Sequence, residues 1–425
     1  MTSLFRNQEF MNLVYPDWLN EEFVLKILRL AEKDDSVKLT SIHLSPATKR
    51  GDNYTSLMYR VTAKFKSRNF PSTIKSVVVK HKPDSDCEIE LQDIEGRFKA
   101  EASMMTDTLV EMNHLLSNEP ALSAKAYFWQ EKDPVILVLE DLVSKGFRMV
   151  NRYKQLDFDH SLLAIRNLAR FHASSFALGE INPSAIRRYT SGFFAADQLP
   201  VFWQYFEKSL RCLTGIIADM PELGPRYAEK ISKLEPHATR KAMEVSTCDP
   251  KEFNVLCHGD LWSNNMLYRY DDQGKPIEHI FASIFQVDFQ LPIYNSPVWD
   301  ITYFFSTCLP DDGVRQNLLI EYHETLKSTM RRLKCRTATP SLEEFEKKIQ
   351  ERKFLEVAVT LLMLPIILAR GDEIKDLNDL EIVSKDFNPP CLRSELFLNI
   401  LKHRMPVWDE IGLLDIDRSV KNYEV

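Results

Sequence analysis

At 425 residues the chain is too long for one small core and suits two lobes or domains. Its composition, 44% hydrophobic, 27% charged and 11% aromatic, is that of an ordinary globular protein. A formal net charge of -7 argues against a fold built to grip nucleic acid, yet leaves room for a local basic pocket around a phosphate-bearing ligand.

The opening residues are charged and offer no apolar stretch of the signal-peptide kind. The longest apolar run, residues 357–369, falls short of the ~18–20 residues a bilayer span requires, and Pro365 interrupts it. It reads as a buried helix. Seven scattered cysteines, with no CxxC pair, read as reduced thiols and not as a disulfide framework or zinc site. The expected compartment is the cytoplasm, with no membrane association and no protein partner evident.

In chain order, "PDWLNEEFVLKILRLAEKD" places Trp18, Leu19, Phe23, Ile27 and Leu30 at helical spacing. The period then drops to two. "VKLTSIHLSPA", "YTSLMYRVTAKFK" and "STIKSVVVKHK" read as strands, a charged helix follows over 93–116, and "AKAYFWQ" and "PVILVLEDL" read as two more strands. Beyond about residue 145 the pattern is helical: at 158–178, across 200–242 and 313–334, and over most of the chain after 342. One β-rich island, 255–290, interrupts it. The layout predicts an N-terminal lobe over 1–142 and a helical lobe over 143–425, with a ligand cleft between them.

The island carries the chemistry. His258, Asp260 and Asn265 form HxDxxxxN, and Asp288 follows one hairpin later in "QVDFQ". A carboxylate can orient an attacking hydroxyl and accept its proton, while an amide oxygen and a second carboxylate can hold magnesium, which prefers oxygen ligands. The plain alternative is a polar loop closing a β-hairpin. Phosphoryl transfer also needs a lysine for the nucleotide and a glutamate that fixes it. Lys80 ends the apolar run "SVVVK", and Glu101 lies on the next helix. Lys75 and Lys82 keep open an edge-strand reading for Lys80, and Glu95 competes with Glu101. Gly51, Asn53 and Ser56 lie between two strands, where backbone N–H groups can cradle phosphates, although an ordinary hairpin turn fits them too. Backbone groups of Glu140 to Leu142, at the lobe junction, are placed to meet an adenine edge.

"HGDLWSNNM", "VDFQ", "GDNYTS", "VVVKHKP", "FKAEASMM", "VLEDL" and "LARFHA", in this order, resemble the ecdysteroid kinase-like family, relatives of choline and aminoglycoside kinases. The resemblance implies an α+β, protein-kinase-like two-lobed fold and ATP-dependent phosphorylation of a small-molecule hydroxyl with Mg²⁺. It makes Asp260 the catalytic base and gives Asn265 and Asp288 to the metal. Lys80 would contact the α/β-phosphates with Glu101 as its anchor. His258 is then structural, and Asp300 in "NSPVWDITYFF" braces the catalytic loop. His172 in "RFHA" reads as a satisfied core histidine. An ecdysteroid or a xenobiotic alcohol is the implied acceptor. Segments such as "FFAADQLPVFWQYF" and "FLEVAVTLLMLPIIL" would wall it, although at helical spacing most of the aromatics Phe193, Phe194, Phe202, Trp203 and Phe206 fit a helical core better. The competing readings are a silent nucleotide-binding pseudokinase and a choline or aminosugar kinase.

Overall fold

The helix α1 (Glu21–Glu32) starts where Asn20, in extended backbone, accepts a hydrogen bond from the Phe23 amide at 3.1 Å. Such a cap contributes about 1 kcal/mol. The computed structural model describes residues 15–47, 57–82, 88–117, 119–190, 192–194, 200–282, 289–309, 312–370 and 387–416. Five antiparallel strands follow α1 in chain order: β1 (Lys38–Pro46), β2 (Leu57–Lys66), β3 (Thr73–His81), β4 (Ala126–Gln130) and β5 (Ile136–Glu140). They form one sheet in the order β1-β2-β3-β5-β4. Between β3 and β4 run α2 (Glu88–Ser103), a π-helical turn at Met104–Thr108, and α3 (Leu109–Leu115).

Strand alternation gives the sheet two distinct faces. Val77, Val79, Ile136 and Val138 pack with Val24, Ile27 and Leu28 of α1 in one core. Leu137 and Leu139 turn the other way, with Phe98 of α2, into the core of the helical lobe. Lys80 lies opposite Met58 on β2, and Val78 opposite Arg60. Directly opposed residues share a face. These four side chains therefore belong to the inner face, towards the second lobe.

That lobe is mainly helical: α4 (Phe158–Ile181), α5 (Pro183–Arg187), α6 (Pro200–Ala218), α7 (Gly224–Ser246), then, beyond four short strands, α8 (Val298–Cys308), α9 (Arg315–Arg332), α10 (Leu342–Glu351), α11 (Phe354–Leu362), α12 (Leu364–Leu368) and α13 (Glu395–Glu410). The expected helical stretch at 200–242 breaks in two at 219–223. Gly224, at φ +57°, restarts the chain with Pro225 in the first turn of α7. The apolar run at 357–369 divides at Met363, two residues before Pro365, into α11 and α12.

The short strands are β6 (Val255–Cys257), β7 (Met266–Tyr270), β8 (Pro276–Phe281) and β9 (Ile293–Asn295), paired β6 with β9 and β7 with β8. The loop 258–265 links these two ribbons. All of α8 is buried, which is the pattern of a central helix, so any polar group on it needs a partner. Together the sheet lobe and the helical lobe make a two-lobed, kinase-like α+β fold.

Candidate active site

Lys80 and Glu101 have no exposed surface, and the lysine Nζ donates to Glu101 Oε2 at 2.6 Å. Lys75 is half-buried and spends its ammonium on Glu32 of α1 at 2.7 Å, so it points to the other face. Burial pushes the Glu101 carboxyl above the usual range, while the Lys80 charge and the Gln290 amide pull it back. Gln290 Nε2 reaches the same Glu101 oxygen at 3.2 Å. One residue earlier, the Phe289 ring lies 4.6 Å from the His258 imidazole and 5.9 Å from Phe171. A continuous run of contacts therefore joins the lysine of the sheet lobe to the loop after β6.

That loop is built against α8. Asp300 Oδ2 accepts the His258 amide at 2.6 Å and Oδ1 accepts the Gly259 amide at 3.0 Å. His172 of α4 holds Oδ2 with Nε2 at 3.0 Å and Tyr322 of α9 with Nδ1 at 2.7 Å. Both sequence expectations hold: Asp300 braces the loop, and His172 is a satisfied core histidine. His172, Cys257 and Asp300 have side-chain atoms within 4.8 Å of one another, but the aspartate oxygens are spent on the loop amides. The cluster is scaffold. Gly259 sits at φ +83°, and a Cβ there would meet the Leu291 carbonyl oxygen at 1.8 Å. Burial drives the His258 imidazole down to about 4, so it is neutral at physiological pH.

Asp260, half-buried, then points its carboxylate into a ring of donors. Tyr303 Oη donates to Oδ1 at 2.6 Å; Trp262 Nε1 and Asn265 Nδ2 donate to Oδ2 at 3.3 and 3.1 Å. Burial raises the Asp260 carboxyl, and these hydrogen bonds oppose the rise. Asn265 is fully buried and also bonds the Asp260 carbonyl through Nδ2 at 2.8 Å. Its Oδ1 accepts nothing from any described residue. A buried acceptor without a donor is costly, and a hard cation would satisfy it.

A narrow cleft lies between the lobes, with about 20 Å³ of cavity volume. Met58 and Val78 roof it from the sheet, Leu267 and Ala282 floor it from the β7–β8 hairpin, and residues 139–143 close its side. Ala47, Met58 and Val78 form a small buried cluster that joins neither main core. Glu140 and Leu142 line this cleft. The Glu140 amide already bonds Lys125 O at 2.8 Å, and the Leu142 carbonyl accepts Lys145 and Phe147 amides. The Glu140 side chain pairs with Lys145 instead of facing a ligand.

The structure thus brings Lys80 to Glu101, Asp260 to Asn265, and Glu140 and Leu142 to the cleft wall. Gly51, Asn53, Ser56 and Asp288 lie outside the described residues. One expectation is corrected: every residue of α11 is buried, so "FLEVAVTLL" is core and not an acceptor wall. Of the aromatics in the other proposed wall, Phe194 and Phe206 are core, whereas Phe193, Phe202 and Trp203 are only partly covered. Sequence reading also left Tyr303, Arg60 and Ser76 unassigned. Arg60 Nε and Ser76 Oγ hold Asp141 Oδ2 at 2.9 and 2.6 Å beside the cleft. Tyr303 stands one helical turn after Asp300 on the same buried helix.

Among the described residues no helix is long and apolar enough to cross a membrane. A search of curated proteins finds no match. A family model described as the ecdysteroid kinase-like family matches residues 50–335, a span holding both Lys80–Glu101 and the Asp260 loop. With that match over most of its length and this fold beneath it, the chain belongs to the ecdysteroid kinase-like family.

Proposed function

We propose that this protein is an ATP-dependent kinase that moves the γ-phosphate to a hydroxyl of a small molecule. Family membership already points to a kinase-like phosphotransferase acting on small molecules. The observation that carries the reading further is the run of contacts from the buried Lys80–Glu101 pair, through Gln290 and Phe289, to the loop that holds Asp260. Such a linkage couples nucleotide placement to the base.

In this reading the adenine enters between Met58 and Val78 above and Leu267 below, with the backbone at 140–142 along its edge. Lys80 meets the α/β-phosphates, kept in place by Glu101, and Gly51, Asn53 and Ser56 cover the phosphates. Asn265 and Asp288 hold magnesium, and the orphan Asn265 oxygen supports that assignment. When bound, the ion would supply charge neutralisation at the β- and γ-phosphates. Asp260 orients the acceptor hydroxyl and takes its proton as the new O–P bond forms. The lobes divide the work: residues 1–142 hold the nucleotide, and residues 143–425 supply the catalytic loop and the acceptor site. The acceptor is an alcohol of an ecdysteroid or a xenobiotic, and the reaction takes place in the cytoplasm.

The test is incubation with γ-labelled ATP, magnesium and a metabolite extract, followed by identification of labelled products. Wild-type protein should label an alcohol, and Asp260→Ala and Asp288→Ala should reduce transfer by at least about 100-fold while remaining folded. Stabilisation by Mg·ATP with no labelled product from any acceptor would instead make the chain a pseudokinase. Labelling of choline or an aminosugar alone would move the acceptor class.

A further inference from the structure

We propose that Tyr303 is a positioning residue for the transfer step, aiming the Oδ1 atom of Asp260 at the acceptor hydroxyl; this rests on the kinase reading above. A carboxylate has about four lone-pair sites, two on each oxygen. Trp262 Nε1 and Asn265 Nδ2 both donate to Oδ2 of Asp260. Tyr303 Oη donates to Oδ1 at 2.6 Å, the shortest of the three contacts. Among the described residues, the open acceptor position therefore belongs to Oδ1. That oxygen receives the proton: the acceptor oxygen bonds to Pγ, the bond from Pγ to the β–γ bridging oxygen breaks, ADP leaves, and the hydroxyl proton ends on Oδ1.

The position of Tyr303 suits this work. It lies on α8 one turn beyond Asp300, whose carboxylate fixes the backbone of the same loop at His258 and Gly259. One helix face thus sets both the course of the loop and the orientation of its carboxylate. The tyrosine is fully buried. Its ring stacks with Phe193 at 6.2 Å and 13°, and Phe193 stacks in turn with Phe202 at 5.8 Å and 23°. A ring seated in this way holds its hydroxyl on Asp260. Without the hydroxyl, Oδ1 loses its only fixed donor among the described residues, and the carboxylate can pivot about Oδ2.

The test is steady-state kinetics of ADP release from Mg·ATP, with an ecdysteroid as acceptor and, in parallel, with water alone. Tyr303→Phe keeps the ring and removes the hydroxyl. The expected result is a fall in kcat of about 10- to 100-fold, with the KM for ATP and the melting temperature close to wild type. Tyr303→Met, which also lacks the hydroxyl but fills the site flexibly, should lose kcat to the same extent while binding Mg·ATP normally by calorimetry. Unchanged kcat in Tyr303→Phe overturns the proposal. So does a loss of kcat matched by equal losses in ATP affinity and melting temperature, which marks a purely structural role. Asp260→Ala in the same assay separates the two failures: full activity there, or a wild-type chain that transfers phosphate to no alcohol acceptor of the extract, rejects the kinase reading and the positioning role with it.

Discussion

A lysine ammonium and a glutamate carboxylate removed from water together, as Lys80 and Glu101 are, hold each other in place more than they stabilise the fold. Glu101→Leu strands the lysine charge and should cost about 3–5 kcal/mol in urea unfolding. The double variant Lys80→Met, Glu101→Leu should recover most of that loss yet bind Mg·ATP poorly. A double variant no more stable than the single would contradict the pairing. Gly259→Ala combines a left-handed backbone with a clash against the Leu291 carbonyl. It should lower stability by more than about 2 kcal/mol, measured by chemical denaturation. At this scale the sequence was informative wherever residue type and position agreed. Lys80 ended an apolar strand and Asp260 and Asn265 had fixed spacing, whereas the bracing role of Asp300 came from the family resemblance. Gln290 and Tyr303 were not legible in role, because each acts through a partner distant in sequence: Gln290 on Glu101, and Tyr303 on Asp260.

Among the elements, α11 shows what sequence reading gets half right. Its apolar run is a buried helix, as its composition predicts, but it also carries a buried acid. Burial alone would raise Glu356; the charges of Arg315, Lys353 and Arg404 bring it down to about 2. Arg315 and Lys353 reach the carboxylate at 2.9 and 2.8 Å, and the Trp408 indole donates at 3.2 Å, so α11 is tied to α9 and α13. Because the folded value lies below the unfolded value of ~4.3, this acid stabilises the fold fully above the unfolded value. The contribution, on the order of 3 kcal/mol, is lost as pH falls from there through about 2. Glu356→Gln should therefore be clearly less stable than wild type at pH 7, and the gap should narrow at pH 3 in urea titrations. A gap independent of pH would contradict the assignment. The five strands of the sheet lobe were readable because each carries at least five residues of β-branched, aromatic or alternating pattern bounded by turn residues. The three-residue strand β6 falls at the start of the expected β-rich island, whereas β9 lies beyond it and was missed, since three residues carry no period. The π-helical turn after α2 had no sequence signal either.

For the whole molecule, the order of the motifs along the chain carried more than any one of them. A lysine strand, a glutamate helix, a strand at the lobe junction and a polar loop between strands in a helical region come together in the structure: the lysine strand and the junction strand line the cleft through Val78 and Leu139, and Gln290 and Phe289 join Glu101 to the polar loop. Binding of Mg·ATP should stabilise the folded chain, by about 2.7 kcal/mol at a concentration 100 times Kd, seen as a rise in melting temperature. The same nucleotide without magnesium should stabilise it less. What the sequence could not supply was the acceptor. The aromatic segment near Asp260 divides between core and partly covered rings, a division set by tertiary packing and not by residue type. The central claim, that one cleft holds nucleotide and metal beside Asp260, is tested most directly by a crystal structure with magnesium and a non-hydrolysable ATP analogue. The account predicts the adenine between Val78 and Leu267, Lys80 on the phosphates, and the metal on Asn265 Oδ1. An empty cleft, or a metal bound away from Asn265, would contradict it.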